Sequence, residues 1–353
     1  MKRIIYFSSG IVFLCSCVLA LEEKVELSKM DKFRPGDLWL DTSGKPIQAH
    51  GGGIILRDDA YYWYGEDRTP GQKTSVSCYS SKDLYNWKFE GTAFRQDDLA
   101  AEIKANTFIE RPKVIYNAKT KKYVLWMHIE QQGYHFARAG IATSDKPMGP
   151  FEFVSYLRPI KYEFDFPAPD PDRQKEFGGT YRDMNLFVDD DGIAYVIYAS
   201  EHNATLYMVR LNDEYTAPLK PIVDDATWSR VLVGKYREAP APFKYKDKYY
   251  LISSGCTGWT PNAADISMSD NIFGSWQSKG NPCIDDGAEL TFRTQSTCVL
   301  PVAGKTGCYI YMGDSWNPRR LSDSRYIWLP FKFDDNGNIE IKWLDEWDLS
   351  YFD

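Results

Sequence analysis

The chain has 353 residues, enough for one large all-β domain or two ordinary domains, and its 26% charged and 43% hydrophobic residues are the balance of a soluble globular protein. A net charge of −7, with no Lys/Arg cluster, argues against a nucleic-acid partner. The aromatic share is high, 15% with 24 Tyr and 11 Trp; such residues favour strands, and their flat rings can cover the apolar face of a sugar.

The first twenty residues differ from the rest. Met1-Lys2-Arg3 is a basic start and Ile4 to Ala20 is almost wholly apolar, which reads as an export signal too short for a stable membrane span. Two endings fit. Leu14-Cys15-Ser16-Cys17 resembles a bacterial lipobox and would leave Cys17 lipidated, the one membrane attachment expected; Val18-Leu19-Ala20 suits ordinary cleavage. Either way the protein is expected to be exported, to the periplasm, the outer-membrane surface or the medium. The chain then divides into the signal (1–20), a linker (21–35) and one domain (36–353).

Within that domain one pattern returns about every sixty residues: a polar turn, then an aromatic strand. It appears as Asp58-Asp59-Ala60-Tyr61-Tyr62-Trp63-Tyr64-Gly65-Glu66 and as Lys121-Lys122-Tyr123-Val124-Leu125-Trp126-Met127-His128. It returns from Asp189 to Tyr198, from Lys246 to Ser254, and from Gly304 to Asp314. The runs are apolar on consecutive positions, as strands buried on both faces are. A second half-repeat follows at Ser80–Trp87, Thr143–Phe151 and Met268–Trp276: a strand, an Asp-centred turn and an aromatic strand start. Five units of about four strands each predict an all-β fold, a five-bladed β-propeller. Helical periodicity is absent apart from room for one short helix at Leu99–Lys104.

In a propeller the innermost strands deliver their ends to one shared funnel. Acidic or amide residues recur where each unit opens or its aromatic run ends: Glu66, Glu110, Asp183, Glu238 and Gln295. Carboxylates crowded in a funnel keep one of their number protonated near neutral pH, the condition for glycosidic bond cleavage, which needs an acid on one side and a water-activating group on the other. Plain ion pairs with the adjacent Arg111, Arg182 and Arg237 are the structural alternative. The acidic turn Asp189-Asp190-Asp191-Gly192 reads as a hairpin rather than a calcium loop. His50-Gly51-Gly52-Gly53 could form an esterase oxyanion hole, but no G-x-S-x-G elbow accompanies it. The glycines instead predict backbone running close to the axis, with His50 facing the funnel or a buried ion. The five cysteines beyond the signal have no C-x-x-C spacing, so no zinc site is expected; one disulfide among the last four is open.

Taken in order, these pieces resemble glycoside hydrolase family 43. The resemblance spans roughly residues 36–350 and rests on Gln48-Ala49-His50-Gly51-Gly52-Gly53, Tyr62-Trp63-Tyr64-Gly65-Glu66, Tyr79–Trp87, Glu110-Arg111-Pro112-Lys113, Arg182–Gly192 and Gly255-Cys256-Thr257-Gly258-Trp259. It implies an inverting enzyme with Glu238 as general acid and Asp183 tuning its acidity. The base does not carry over: most members open the first blade with an Asp, where this chain has Gln48-Ala49-His50. That departure resembles the exo-β-1,3-galactanase and galactan 1,3-β-galactosidase branch, in which a fifth-blade glutamine, here Gln295, is implied to hold the water, with Glu66 or Glu110 as substitutes. The resemblance further implies sugar contacts from Gln48, His50, Glu66, Glu110, Tyr134, Thr257, Trp259 and Asn262. It implies a plant-type polysaccharide or oligosaccharide substrate and no required cofactor, with room for a structural cation such as calcium near His50. Two other activities stay open, an α-L-arabinofuranosidase or β-xylosidase of the same family, and a non-catalytic sugar-binding propeller.

Overall fold

The computed structural model describes residues 29–161, 179–334 and 337–353. The expected export signal and the expected lipobox at Cys17 lie outside the described residues. The first blade comprises β1 (His50–Arg57), β2 (Ala60–Asp67), β3 (Ser75–Ser81) and β4 (Lys88–Arg95). The second comprises β5 (Thr107–Asn117), β6 (Lys122–Gln131), β7 (Arg138–Ser144) and β8 (Glu152–Leu157). β9 (Met184–Val188), β10 (Ala194–Ser200), β11 (Thr205–Arg210) and β12 (Trp228–Val231) form the third. β13 (Arg237–Tyr245), β14 (Lys248–Gly255), β15 (Asp265–Ser269) and β16 (Gln277–Ser278) form the fourth, and β17 (Gln295–Pro301), β18 (Cys308–Ser315) and β19 (Arg325–Lys332) the fifth. Within each sheet consecutive strands pair antiparallel. The opening strands β1, β5, β9, β13 and β17 pack against one another in turn, and β17 meets β1, which closes a five-bladed β-propeller.

The five aromatic runs become the second strand of each blade. β6 and β10 are buried almost end to end, as expected of strands covered on both faces by neighbouring blades. The turn between β1 and β2 places Asp58 and Asp59 at positive φ, 50° and 60°, the paired left-handed geometry of a two-residue hairpin, which Asp tolerates. Asp189–Gly192 is the expected plain hairpin, closed by Gly192 N–H donating to Asp189 O at 2.9 Å, with Asp189 held by Lys244 and Tyr249. At Leu99–Lys104 there is only a turn: Leu99 and Ile103 anchor it in the core, and the chain passes into the next blade's opening strand at Thr107 before a helix can be completed.

The ring is sealed where blade five meets blade one. Phe33 and Trp347 exchange backbone hydrogen bonds at 2.7 and 3.0 Å and stack with centroids 4.3 Å apart. They cover a cluster of Trp39, Trp63, Trp87, Tyr326 and Trp328. Phe33 is thus part of the fold, although it falls in the stretch expected to be linker. The five described cysteines are all free.

Candidate active site

The opening strands of four blades carry a register shift near their first residues: after His50 in β1, Glu110 in β5, Glu238 in β13 and Ser296 in β17. In three of them the residue that follows is left-handed: Gly51 at φ 58°, Arg111 at 52° and Ala239 at 52°. A bulge of this kind breaks the inward–outward alternation and re-aims the side chain before it. For Arg111 and Ala239 the conformation costs about 1 kcal/mol each, a strain that accumulates at functional sites. Together these bulges turn Glu110 and Glu238 into the funnel.

The funnel is a cavity of about 270 Å³ bordered by Glu66, Arg68, Glu110, Arg111, His128, Tyr134, Asp183, Asn203, Glu238, Trp259, Gln295 and Trp316, among others. Glu238 is gripped at both oxygens: Gln295 Nε2 donates to Oε1 and Asn203 Nδ2 to Oε2, each at 3.0 Å. The Cys256 thiol also reaches this carboxyl. Burial, then repulsion from Asp183, raise the Glu238 pKa to about 7 against the opposing pull of Arg111. Asp183 accepts from Ala239 N–H at 3.2 Å and pairs with Arg111 at 3.1 Å.

Arg111 stands between two groups of carboxylates. Its guanidinium meets Asp183, Gln295 Oε1 and Ser296 O, while its backbone N–H donates to Glu66 at 2.7 Å. Beyond it, Glu66 and Glu110 share Arg68. Burial raises the Glu66 pKa, with Arg68 opposing. For Glu110 burial acts in the same sense, but His128, Arg68 and Tyr134 outweigh it and hold the group at about 2. His128 lies between Glu110 at 3.2 Å and Glu130 at 3.1 Å; these carboxylates overcome its burial and raise it to about 9, so it is a buried cation. Tyr134 Oη donates to Glu110 at 2.9 Å.

Gln295 is fully engaged. Besides Glu238 it donates to Ser254 Oγ at 3.0 Å, while its Oε1 accepts from Arg111 and from Trp316 Nε1, the latter at 2.9 Å. Two donors on the oxygen favour the ordinary amide over an imidic tautomer, which would place a hydrogen there.

The structure therefore brings together Glu66, Glu110, Tyr134, Asp183, Glu238, Trp259 and Gln295. Trp259 is 50% exposed and meets Trp316 edge-on at 5.8 Å, a ring at the mouth rather than in the core. Four expected sugar contacts do not border this cavity. Gln48 is buried and donates to Ser322 O at 2.9 Å. His50 is fully buried beneath the funnel, 3.8 Å from Asp314, and burial lowers it to about 3, so it is neutral. Asn262 bonds Gly255 at both its N–H and its carbonyl and donates to Thr257 Oγ1 at 2.7 Å, so these two brace the loop that presents Trp259.

The suspected ion pairs with neighbours in sequence do not form: Arg237 turns to Ser253, and Arg182 to Tyr134 O and His202. The sequence reading missed Arg68, Arg111, His128, Asn203 and Trp316 as site residues. Arg111 was visible only as a neighbour of Glu110, and Asn203 carried no motif.

A cation near His50 is poorly served. Among the described residues no three His, Cys, Asp or Glu side chains could hold a metal ion, and one imidazole with one carboxylate is far from the oxygen-rich shell calcium takes. The three glycines have a nearer reason. A Cβ on Gly52 would lie 2.0 Å from Tyr64 O, and one on Gly51 2.5 Å from Glu66 Oε1.

A propeller whose funnel holds a carboxyl poised near neutrality beside a second carboxylate is the frame of a glycoside hydrolase. The chain matches glycosyl hydrolases family 43 over residues 48–297 and belongs to that family. Among solved structures it is similar to a GH43 β-1,3-galactosidase crystallised with galactodeoxynojirimycin, at 41% identity and a TM-score of 0.80, covering 90% of this chain and 100% of that one. It is also similar to an exo-β-1,3-galactanase from Clostridium thermocellum, at 36% identity and TM-score 0.77, covering 89% of this chain and 66% of that one. An exo-β-1,3-galactanase of Phanerochaete chrysosporium with β-1,3-galactotriose gives 32% identity and TM-score 0.77, covering 91% and 68%. No curated protein matches.

Proposed function

We propose that this protein releases galactose from the end of β-1,3-linked galactan or arabinogalactan chains by an inverting mechanism. The observation that carries the reading is Glu238, a carboxyl raised to about 7 in a cavity sized for one sugar ring. The galactan-cleaving relatives support the choice of sugar. Glu238 gives its proton to the glycosidic oxygen as the bond to the anomeric carbon breaks, and a water oxygen bonds that carbon from the opposite face. Asp183 keeps Glu238 protonated until then, and Gln295 and Asn203 hold it in aim. We assign the water's proton to Glu66: burial raises its proton affinity, whereas Glu110, at about 2, is a weak base better suited to binding hydroxyls. Gln295 then acts as a positioning residue, its oxygen already covered by two donors. Side chains and water suffice for every step.

The same reading takes the N-terminal apolar segment as an export signal that ends either at a lipidated Cys17 or in cleavage after Ala20, and takes the substrate as plant-type polysaccharide met outside the cell.

The test follows hydrolysis of β-1,3-galactobiose by NMR with the wild type, Glu238→Gln and Glu66→Gln. The reading expects α-galactose first, and a loss of about 10²–10⁴-fold in each variant. β-Galactose appearing first would make the enzyme retaining and overturn it. Near-normal turnover by Glu66→Gln, with Gln295→Ala reduced as strongly as Glu238→Gln, would return the water to Gln295.

A further inference from the structure

A second cleft opens off the funnel and has no part in the steps above. Arg68 borders both. The cleft has a volume of about 740 Å³ and lies between the β2–β3 connection, Asp67 to Thr74, and the β18–β19 connection, Pro318 to Ser322. It begins beside the Glu66–Arg68–Glu110 group, separated by Arg111 from Glu238 and hence from the side where the leaving sugar departs. On the galactan-trimming reading this is the side of the funnel that the released sugar occupies, so a substituent on that sugar could reach the cleft past Arg68.

Its walls are built. Asp67 Oδ1 accepts from Thr69 N–H at 2.9 Å on one side. On the other, Asn317 accepts from Arg319 N–H at 3.2 Å and Arg320 N–H at 3.0 Å, and Gln48 ties Ser322 down from below. This wall exposes Arg319 and Arg320 side by side. Asp323, the acid three residues on, is held by Arg325 at 2.8 Å and Asn317 at 3.3 Å and also feels the charge of Arg320, while among the described residues neither Arg319 nor Arg320 forms a salt bridge within 4.0 Å. Arg68 is neutralised by its two glutamates, and the Asp67 carboxylate is engaged in its own turn. Two adjacent exposed guanidinium groups, neither in a direct salt bridge among the described residues, at the exit of a sugar site, are suited to a planar or tetrahedral oxyanion.

We propose that this cleft is a subsite for an anionic substituent on the released sugar, a uronic acid or a sulfate ester. The proposal rests on the galactan-trimming reading and deepens it, making the natural substrate an acidic branched galactan.

The test compares β-1,3-galactobiose carrying glucuronate, glucose or sulfate on O6 of its non-reducing galactose, with the wild type and with Arg319→Gln/Arg320→Gln. Because both arginines are exposed, the wild type should favour an anionic cap over glucose by about three- to tenfold in kcat/KM. That preference should shrink as salt rises and vanish in the double variant. The glucuronate and sulfate arms tell the two sources apart. Equal turnover of charged and neutral caps, or a preference that survives in the double variant, overturns the proposal while bare galactobiose cleavage keeps the hydrolase reading. If no galactobiose is cleaved at all, the hydrolase reading falls. Calorimetric titration of the capped galactoses then decides the cleft: anion-selective binding lost in the double variant upholds it, and non-selective binding refutes it.

Discussion

Replacing Asp183 by Asn tests the electrostatic reading of the site most directly. Asp183 is the largest charge raising Glu238 after burial itself, and it accepts from the backbone N–H of Ala239, next to that residue. For a generic pair of carboxylates about 5 Å apart, repulsion at an effective dielectric of about 20 is about 3 kcal/mol, or about 2 pH units, which serves as an upper bound here. Asp183 is 20% exposed and partly neutralised by Arg111, so screening reduces this, and about 1–2 units is the expected shift. Asn also leaves Arg111 less neutralised, which pushes the Glu238 pKa the same way, downward. Activity requires Glu238 protonated, so kcat/KM should fall above about pH 7 in the wild type and above about pH 5–6 in the variant. At pH 7 the variant should lose about 5–50-fold, and at pH 5 clearly less. The assay is the pH profile of galactose release from β-1,3-galactobiose. An alkaline limb that stays in place, with equal loss at every pH, would refute the argument.

Three further outcomes follow from the same structure. His128 is raised to about 9 by Glu110 and Glu130, so its contribution to stability is complete below about pH 6.5 and is lost as pH rises through 9. Denaturant titrations from pH 6 to 10 should show a decline of roughly 3 kcal/mol that is absent in His128→Gln; parallel curves for the two proteins would refute it. Gly51→Ala combines a left-handed backbone with a contact 2.5 Å from Glu66 Oε1, so it should cost about 1–3 kcal/mol and also raise KM, read by melting and kinetics together. Trp328→Ala opens the seam between blades one and five, where Trp328 is fully buried, and should cost about 3–5 kcal/mol in chemical unfolding with m little changed.

By itself the sequence determined the repeat. A polar turn and a doubly buried aromatic strand, returned five times, have few packings other than blades around an axis. Residues that open a blade, or that end its aromatic run beside that opening, are legible because these strand ends serve the same funnel, and so Glu110, Asp183, Glu238 and Gln295, with Glu66 at the end of β2, could be picked out from residues far apart. What the tertiary structure decided is where each side chain points and what it touches. Gln48 and His50 open a blade like the others, yet the bulge at Gly51 and the close approach of Gly52 to Tyr64 place both under the funnel floor. Arg111, adjacent to Glu110, reaches instead to Asp183 and Gln295, because its left-handed backbone turns it across the axis. Thr257 and Asn262 brace the loop that presents Trp259. The pKa of Glu238, the hydrogen bonds covering Gln295 and the arginine-lined cleft beside Arg68 each arise between blades, from distances in space that no spacing along the chain encodes.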